Sequence, residues 1–184
     1  MNQANGFELQ FDAAEIPALA SRYEYTLEDA AFNSGERIRS GSCSRENLMV
    51  IFRWKTGGRG VSRLGKNSDV EIEDALRLAV KAQTERAAIS VLTGLYGVDI
   101  PVASAVLTAI DPEKYTILDF RALEALGNPT SNRSVGFYLV YLKACRRLAA
   151  SHGVTLRTLD RALWQWSAER SAVVVEQRRH GFSR

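Results

Sequence analysis

Asp119 stands twelve residues beyond Leu107, the last residue of Leu95-Tyr96-Gly97-Val98-Asp99-Ile100-Pro101-Val102-Ala103-Ser104-Ala105-Val106-Leu107. In that stretch two apolar helical patterns meet over a short turn: Ala87 to Leu92 runs in, and Ala103 to Ile110 runs out. Gly97 supplies the permissive backbone of a sharp reversal, and Pro101 fits the first turn of a new helix, where no amide donor is lost. The spacing predicts a helix-hairpin-helix. Its backbone N–H groups, at a helix N-terminus, can bind a nucleic-acid phosphate without reading sequence. Tyr96, Gly97, Val98, Ile100 and Val102 are the residues expected there. Asp119 opens the next helical pattern, Phe120 to Leu126, where free N–H donors and the helix dipole favour an ionised carboxylate. Arg121 follows it by two, within reach of DNA or of that carboxylate. A plain N-cap is the commonest use of such an aspartate, and the two uses are geometrically compatible.

A second chemical signal is charge. Between Glu46 and Asp69 there is no acidic residue, while Arg53, Lys55, Arg59, Arg63 and Lys66 are basic and four glycines lie among them. A solvated, flexible loop has this composition; so does a loop that faces nucleic acid, and Trp54 adds an aromatic face. Arg59, Arg63 and Lys66 are the expected DNA contacts. Arg146, Arg147, Arg157 and Arg161 fit a solvated helical surface that could extend that face.

The elements that must position these groups are helices. From Asp12 to Arg22 a helix is expected with Asp12 as cap and Pro17 in its first turn. Thr26-Leu27-Glu28-Asp29 predicts a capping box opening a second helix toward Gly35. Ser44 should cap a third (45–54). Ser68 should cap a fourth whose apolar side is Val70, Ile72, Ala75, Leu76, Ala79 and Val80. Thr84 to Ala87 restarts or continues it into the hairpin. Beyond Asp119, helices are expected from about 134 to 152, with Val135, Leu139, Leu142, Cys145, Leu148 and Ala149 apolar, and from about Thr155 onward, with Trp164 and Trp166 in the core. Glu176 to Arg184 is polar, basic and expected to be loose. Only Phe7, Leu9 and Phe11 alternate, as a short extended arm. The fold class expected is all-α, a single domain over 1–184 or two small helical lobes around a cleft, with a central stretch of 68–152.

With 184 residues, 46% of them hydrophobic and 24% charged, the chain can bury a core unaided and is neither a disordered nor a membrane composition. Net charge is +3 and the pI near 9.0. Met1–Asn5 lacks the basic and apolar regions of a signal peptide. Cys43 and Cys145 lie far apart, in no metal spacing, and read as reduced residues of a cytoplasmic protein. No metal or other cofactor is expected.

Read together, Leu95, Gly97 and Val98, the small residues Ala103 and Ala105, and Tyr115 with Ile117-Leu118-Asp119-Phe120-Arg121 resemble the helix-hairpin-helix DNA glycosylase superfamily. The resemblance covers about 84–127; elsewhere it is only a succession of helices. Tyr96 and Asp99 replace that family's usual proline and second glycine. Pro101 stands where its bifunctional members carry a lysine, and the four-cysteine cluster of the endonuclease III branch is absent. The resemblance therefore implies a monofunctional N-glycosylase, or a relative that binds DNA without catalysis. It implies Asp119 as the catalytic residue, stabilising an oxocarbenium sugar and activating water, on a base flipped from double-stranded DNA. Tyr23, Tyr25, Trp54 and Lys55 are the candidate base pocket, although Trp54 also suits a core position, and the Gly57–Gly65 loop could carry a wedge. Lys114 and Lys143 are the remaining candidates for an amine nucleophile. A monomer is expected, in base-excision repair or in defence against modified foreign DNA; which base is excised stays open.

Overall fold

Hydroxyl and carboxylate caps start seven of the α-helices, Thr155 supplying one by accepting the Thr158 N–H at 3.0 Å. Ser44, Ser68, Thr84, Asp99, Asp119 and Ser134 each accept a hydrogen bond from a backbone N–H two or three residues on. Such a side chain satisfies one of the orphan donors of a helix start and contributes about 1 kcal/mol. Ser68 goes further and forms a full capping box with Glu71.

The structure, a computed structural model, describes residues 6–181, with side chains through Ser171; Met1–Asn5 and 182–184 lie outside the described residues. It is all-helical, with no strand among the described residues. After a 3-10 turn at Ala13–Glu15 come α1 (Ile16–Ser21), α2 (Glu28–Arg39), α3 (Arg45–Thr56), α4 (Val61–Leu64) and α5 (Asp69–Lys81). They are followed by α6 (Glu85–Leu92), α7 (Ile100–Ile110), α8 (Phe120–Ala125), α9 (Val135–Ser151) and α10 (Leu156–Gly181). No helix among the described residues is long and apolar enough to cross a membrane.

α7 is the axis. It is buried from Val102 to Ile110, and α2, α3 and α6 pack on it. α9 lies against α6 and α10, and α10 packs on α1 and α8. The apolar side chains form one buried cluster from Phe7 to Leu163. The expected extended arm is present as a strap: Glu8 and Gln10 N–H groups donate to the carbonyls of Leu126 and Ala125, at 3.1 and 2.9 Å, and Phe7 packs edge-on to Tyr141.

Four sequence expectations are corrected. The Thr26–Asp29 capping box does not form: Leu27 occupies the cap position at φ 72° with no side-chain cap, and Glu28 turns inward to Arg157 and Arg161. α2 does not stop near Gly35 but runs to Arg39, because Gly35 lets α2 cross α7 backbone to backbone; a Cβ there would sit 2.0 Å from the Ala109 carbonyl oxygen. Val70 and Val80 are exposed, off the face that Ile72, Ala75, Leu76 and Ala79 bury. The C-terminal segment expected to be loose is helical as far as Gly181.

Candidate functional site

The three residues before Asp119 are fastened one by one. The Tyr138 hydroxyl donates to the Thr116 carbonyl at 3.2 Å and the Tyr141 hydroxyl to the Ile117 carbonyl at 2.8 Å. The Leu118 N–H donates to Ser104 Oγ at 3.0 Å, and that hydroxyl donates to the Pro101 carbonyl at 2.9 Å. Both tyrosines and Ser104 are fully buried. An irregular buried segment leaves backbone groups that no helix ladder satisfies. Here α7 and α9 satisfy them, so Asp119 is delivered by a rigid approach. The sequence reading missed both tyrosines because it followed aliphatic residues; they share the α9 face of Leu142 and Cys145.

Asp119 then uses both carboxylate oxygens. Oδ1 accepts the Arg121 backbone N–H at 3.0 Å, which caps α8, and Oδ2 accepts the ammonium of Lys55 from the last turn of α3. The two side chains are 16% and 13% exposed. Burial alone would push the Asp119 carboxyl up, but Lys55, the Arg121 N–H and the Arg121 charge outweigh it and hold it below the usual carboxylate range. Asp119 is therefore a cap and an ionised group at once.

The pair forms one wall of a cavity of about 200 Å³. At roughly 30 Å³ per water, that is space for a single heterocycle, not a dinucleotide. Trp54, Lys55 and Arg59 line it from α3 and the segment after it; Ile117, Asp119, Phe120 and Arg121 from the approach and start of α8; Arg157, Asp160 and Trp164 from α10; and Tyr23 and Tyr25 from the α1–α2 connection. The two tyrosine rings are near-parallel at 6.1 Å, and the Trp164 ring meets both edge-on. Burial pushes the Tyr23 phenol up to about 12. The Arg121 guanidinium lies between the rings of Phe120 and Trp164, at 5.1 and 5.2 Å, and donates to Ser171 of α10. Trp54 serves both expected uses: it is buried in the core, its Nε1 has no partner among the described residues, and its ring borders the cavity.

Trp164, expected in the core, lines the cavity, whereas Trp166 packs at the core edge against Phe11. Arg157 and Arg161, expected on a solvated surface, turn inward. Arg157 bonds Asp160, and its Nε lies 3.2 Å from Glu28 Oε1. Its Nη2 is 2.9 Å from the same oxygen without the alignment of a hydrogen bond. Arg161 donates to that oxygen as well. Arg146 is held by Glu85 and the Lys114 carbonyl, while Arg147 is exposed. Neither Lys114 nor Lys143 lines the cavity; Lys55 does.

The turn between α6 and α7 is adjacent rather than inside. Arg59, Arg63, Gly97, Asp99 and Val102 border an open groove beside the cavity, and Arg59 borders both. Gly97, at φ 80°, lies so close to α4 that a Cβ would be 2.9 Å from the Leu64 nitrogen. Buried Asn67 locks the two together, donating to the Tyr96 carbonyl and accepting its N–H at 2.8 Å. Few of the expected phosphate donors are open. The Val98 N–H goes to the Leu95 carbonyl and the Val102 N–H to Asp99 Oδ1, leaving only the Gly97 and Ile100 amides without a partner among the described residues. The Val98, Ile100 and Val102 side chains are buried, Tyr96 projects with 63% exposure, and Lys66 is exposed outside both spaces. The basic segment is partly ordered as α4, anchored by buried Leu64.

No family model, characterised protein or solved structure matches the chain.

Proposed function

We propose that the chain is a helix-hairpin-helix DNA glycosylase of the monofunctional kind, excising a damaged or modified base from double-stranded DNA in repair or in defence against modified foreign DNA. The observation that carries this function is the charged Asp119 carboxylate, held by Lys55 on the wall of a base-sized aromatic cavity beside a groove with Arg59 and Arg63 at its rim. A flipped base enters between the aromatic residues. The C1′–N bond breaks with its electron pair on the base, and the sugar gains positive charge. Asp119 stabilises that charge, and water bonds to C1′ as its proton passes to the carboxylate. Arg59, Arg63 and the exposed Tyr96 face the duplex, and the free Gly97 and Ile100 amides take a phosphate.

The test is to incubate the protein with a panel of modified duplexes, hypermodified phage DNA included, and to identify released bases by mass spectrometry. Release by the native protein, with Asp119→Asn binding DNA normally but releasing none, supports the enzyme. No release from any duplex leaves a non-catalytic DNA-binding protein. One observation favours a second chemistry: Lys55 places an amine in the cavity, which Pro101 removes from the hairpin. Borohydride trapping of a covalent DNA adduct that Lys55→Gln abolishes would make the enzyme a lyase as well.

A further inference from the structure

Asp160 is a second carboxylate in the same cavity, and base hydrolysis gives it no task. It projects from the first turns of α10 and its side chain is 6% exposed. Oδ2 takes the hydrogen bond from Arg157 Nη1. Oδ1 takes none among the described residues, and the residue lines the cavity. Each Asp119 oxygen already accepts one hydrogen bond, from Lys55 and from the Arg121 N–H. Among the lining carboxylate oxygens of the described residues, Asp160 Oδ1 is therefore the one that no protein group donates to.

Its position is fixed from behind. Arg157 is anchored on Glu28 and its guanidinium sits 5.2 Å from the Tyr23 and Phe32 ring centres and 5.7 Å from that of Trp54. Swinging Asp160 away would cost that buried cation one of its two carboxylate partners. The aromatic residues around the cavity can stack on any base, so they discriminate little. Selection falls to the polar atoms, and a buried acceptor rewards an N–H and rejects a second acceptor.

Resting on the glycosylase function proposed above, we infer that Asp160 is the specificity-determining residue: Oδ1 accepts from the exocyclic amino group of the flipped base, so the cavity takes amino-bearing bases in preference to their keto counterparts. A keto base would turn a carbonyl oxygen toward Oδ1. Burial pushes the Asp160 carboxyl up while the Arg157 and Lys55 charges pull it back; a hydrogen bond to the ionised acceptor corresponds to a preference of about ten- to hundredfold.

Matched duplexes test this directly. One pair carries 5-methylcytosine or thymine and the other adenine or hypoxanthine, each opposite a tetrahydrofuran site so that no pairing partner biases flipping. A 2′-fluoroarabino sugar blocks hydrolysis, and Kd is measured. The native protein should bind the amino member of both pairs about ten- to hundredfold more tightly, Asp160→Asn should erase or invert the gap, and Asp160→Glu should keep its direction. Equal affinities in the native protein, or a gap that Asp160→Asn leaves untouched, overturn the inference. If Asp160→Asn does not fold, the native gap and Asp160→Glu decide. A gap on blocked duplexes without release from cleavable ones retains base recognition and removes the glycosylase; release without a gap does the reverse.

Discussion

Two aspartates begin two helices around the site with the same local geometry and different surroundings. Asp99 caps α7 through the Val102 N–H at 3.1 Å, and Asp119 caps α8 through the Arg121 N–H at 3.0 Å; both have extended backbone. Asp99 is exposed and has no cationic partner among the described residues. Asp119 has Lys55, an aromatic cavity in front of it and three fastened residues behind it. The local geometry is therefore the same, and function is decided by what the rest of the chain brings. Asp99 replaces a glycine of the pattern that the hairpin resembles, and its carboxylate takes an amide that a phosphate could otherwise use.

The largest expected separation is in base release. Asp119→Asn keeps an oxygen for the Arg121 N–H but removes the charge facing the cavity. Release should fall about 10²–10³-fold, as for loss of one preorganised charge-stabilising group, while single-turnover assays of Asp99→Asn stay near native. The stability loss at Asp119 should be about 1–3 kcal/mol, because the largely buried Lys55 is left without its counter-charge.

Lys55→Met sharpens the comparison through pH. In the native protein the Asp119 carboxyl titrates below its usual range. A group depressed on folding stabilises fully above its unfolded pKa, and that contribution fades as pH falls through the folded value. Without Lys55, burial dominates and lifts the carboxyl, so the sign reverses: its contribution is present at low pH and lost as pH rises through the new folded pKa. Urea unfolding across the acid range should show the native-minus-variant stability growing with pH. The acid limb of kcat/KM should move to higher pH in the variant. Coincident profiles would mean that Lys55 does not set the charge of Asp119.

Tyr141→Phe asks whether the approach matters. It leaves the buried Ile117 carbonyl without its 2.8 Å donor, which costs about 1–3 kcal/mol. Thermal denaturation would show this loss. Release should drop about tenfold, because small misplacements of a reacting group are costly, with DNA affinity retained. An unchanged rate would show that α8 alone holds Asp119.

The caps at Ser44, Ser68 and Asp119 were legible because capping is a rule of neighbours. Thr84, Asp99 and Ser134 obey the same rule but are not expected as caps from the sequence, Asp99 because it stands out only as a replaced hairpin glycine. The turn at Gly97 and the helix broken before Asp111-Pro112 were legible for the same reason. Tyr23, Tyr25, Trp54 and Lys55 were grouped in advance, and the cavity does bring them together. Arg157 and Asp160 were not legible: one turn of charged helix reads as surface, and Glu28, 129 positions before Arg157, joins Asp160 in supplying the counter-charge that lets it be buried. Lys55 is expected from sequence in the base pocket and not as a partner of Asp119, since nothing in a linear pattern aims it at a carboxylate 64 positions away. Leu27 took the place of Thr26 as cap because that inward pull on Glu28 overrode the local preference.

The smallest effect belongs to Asp99 and is the strictest test of the contrast. Asp99→Ala removes a cap and nothing else that chemistry needs. Stability should fall by about 1 kcal/mol, a shift of roughly 2–4 °C in Tm for a chain of this size. DNA affinity should rise slightly at low salt, because a carboxylate no longer stands beside Arg63 in the groove and the Val102 N–H is freed for phosphate. Base release per bound duplex should not change. If Asp99→Ala instead lost release as deeply as Asp119→Asn while melting within a few degrees of native, the two aspartates would share the chemistry, and the cavity would not be what distinguishes them.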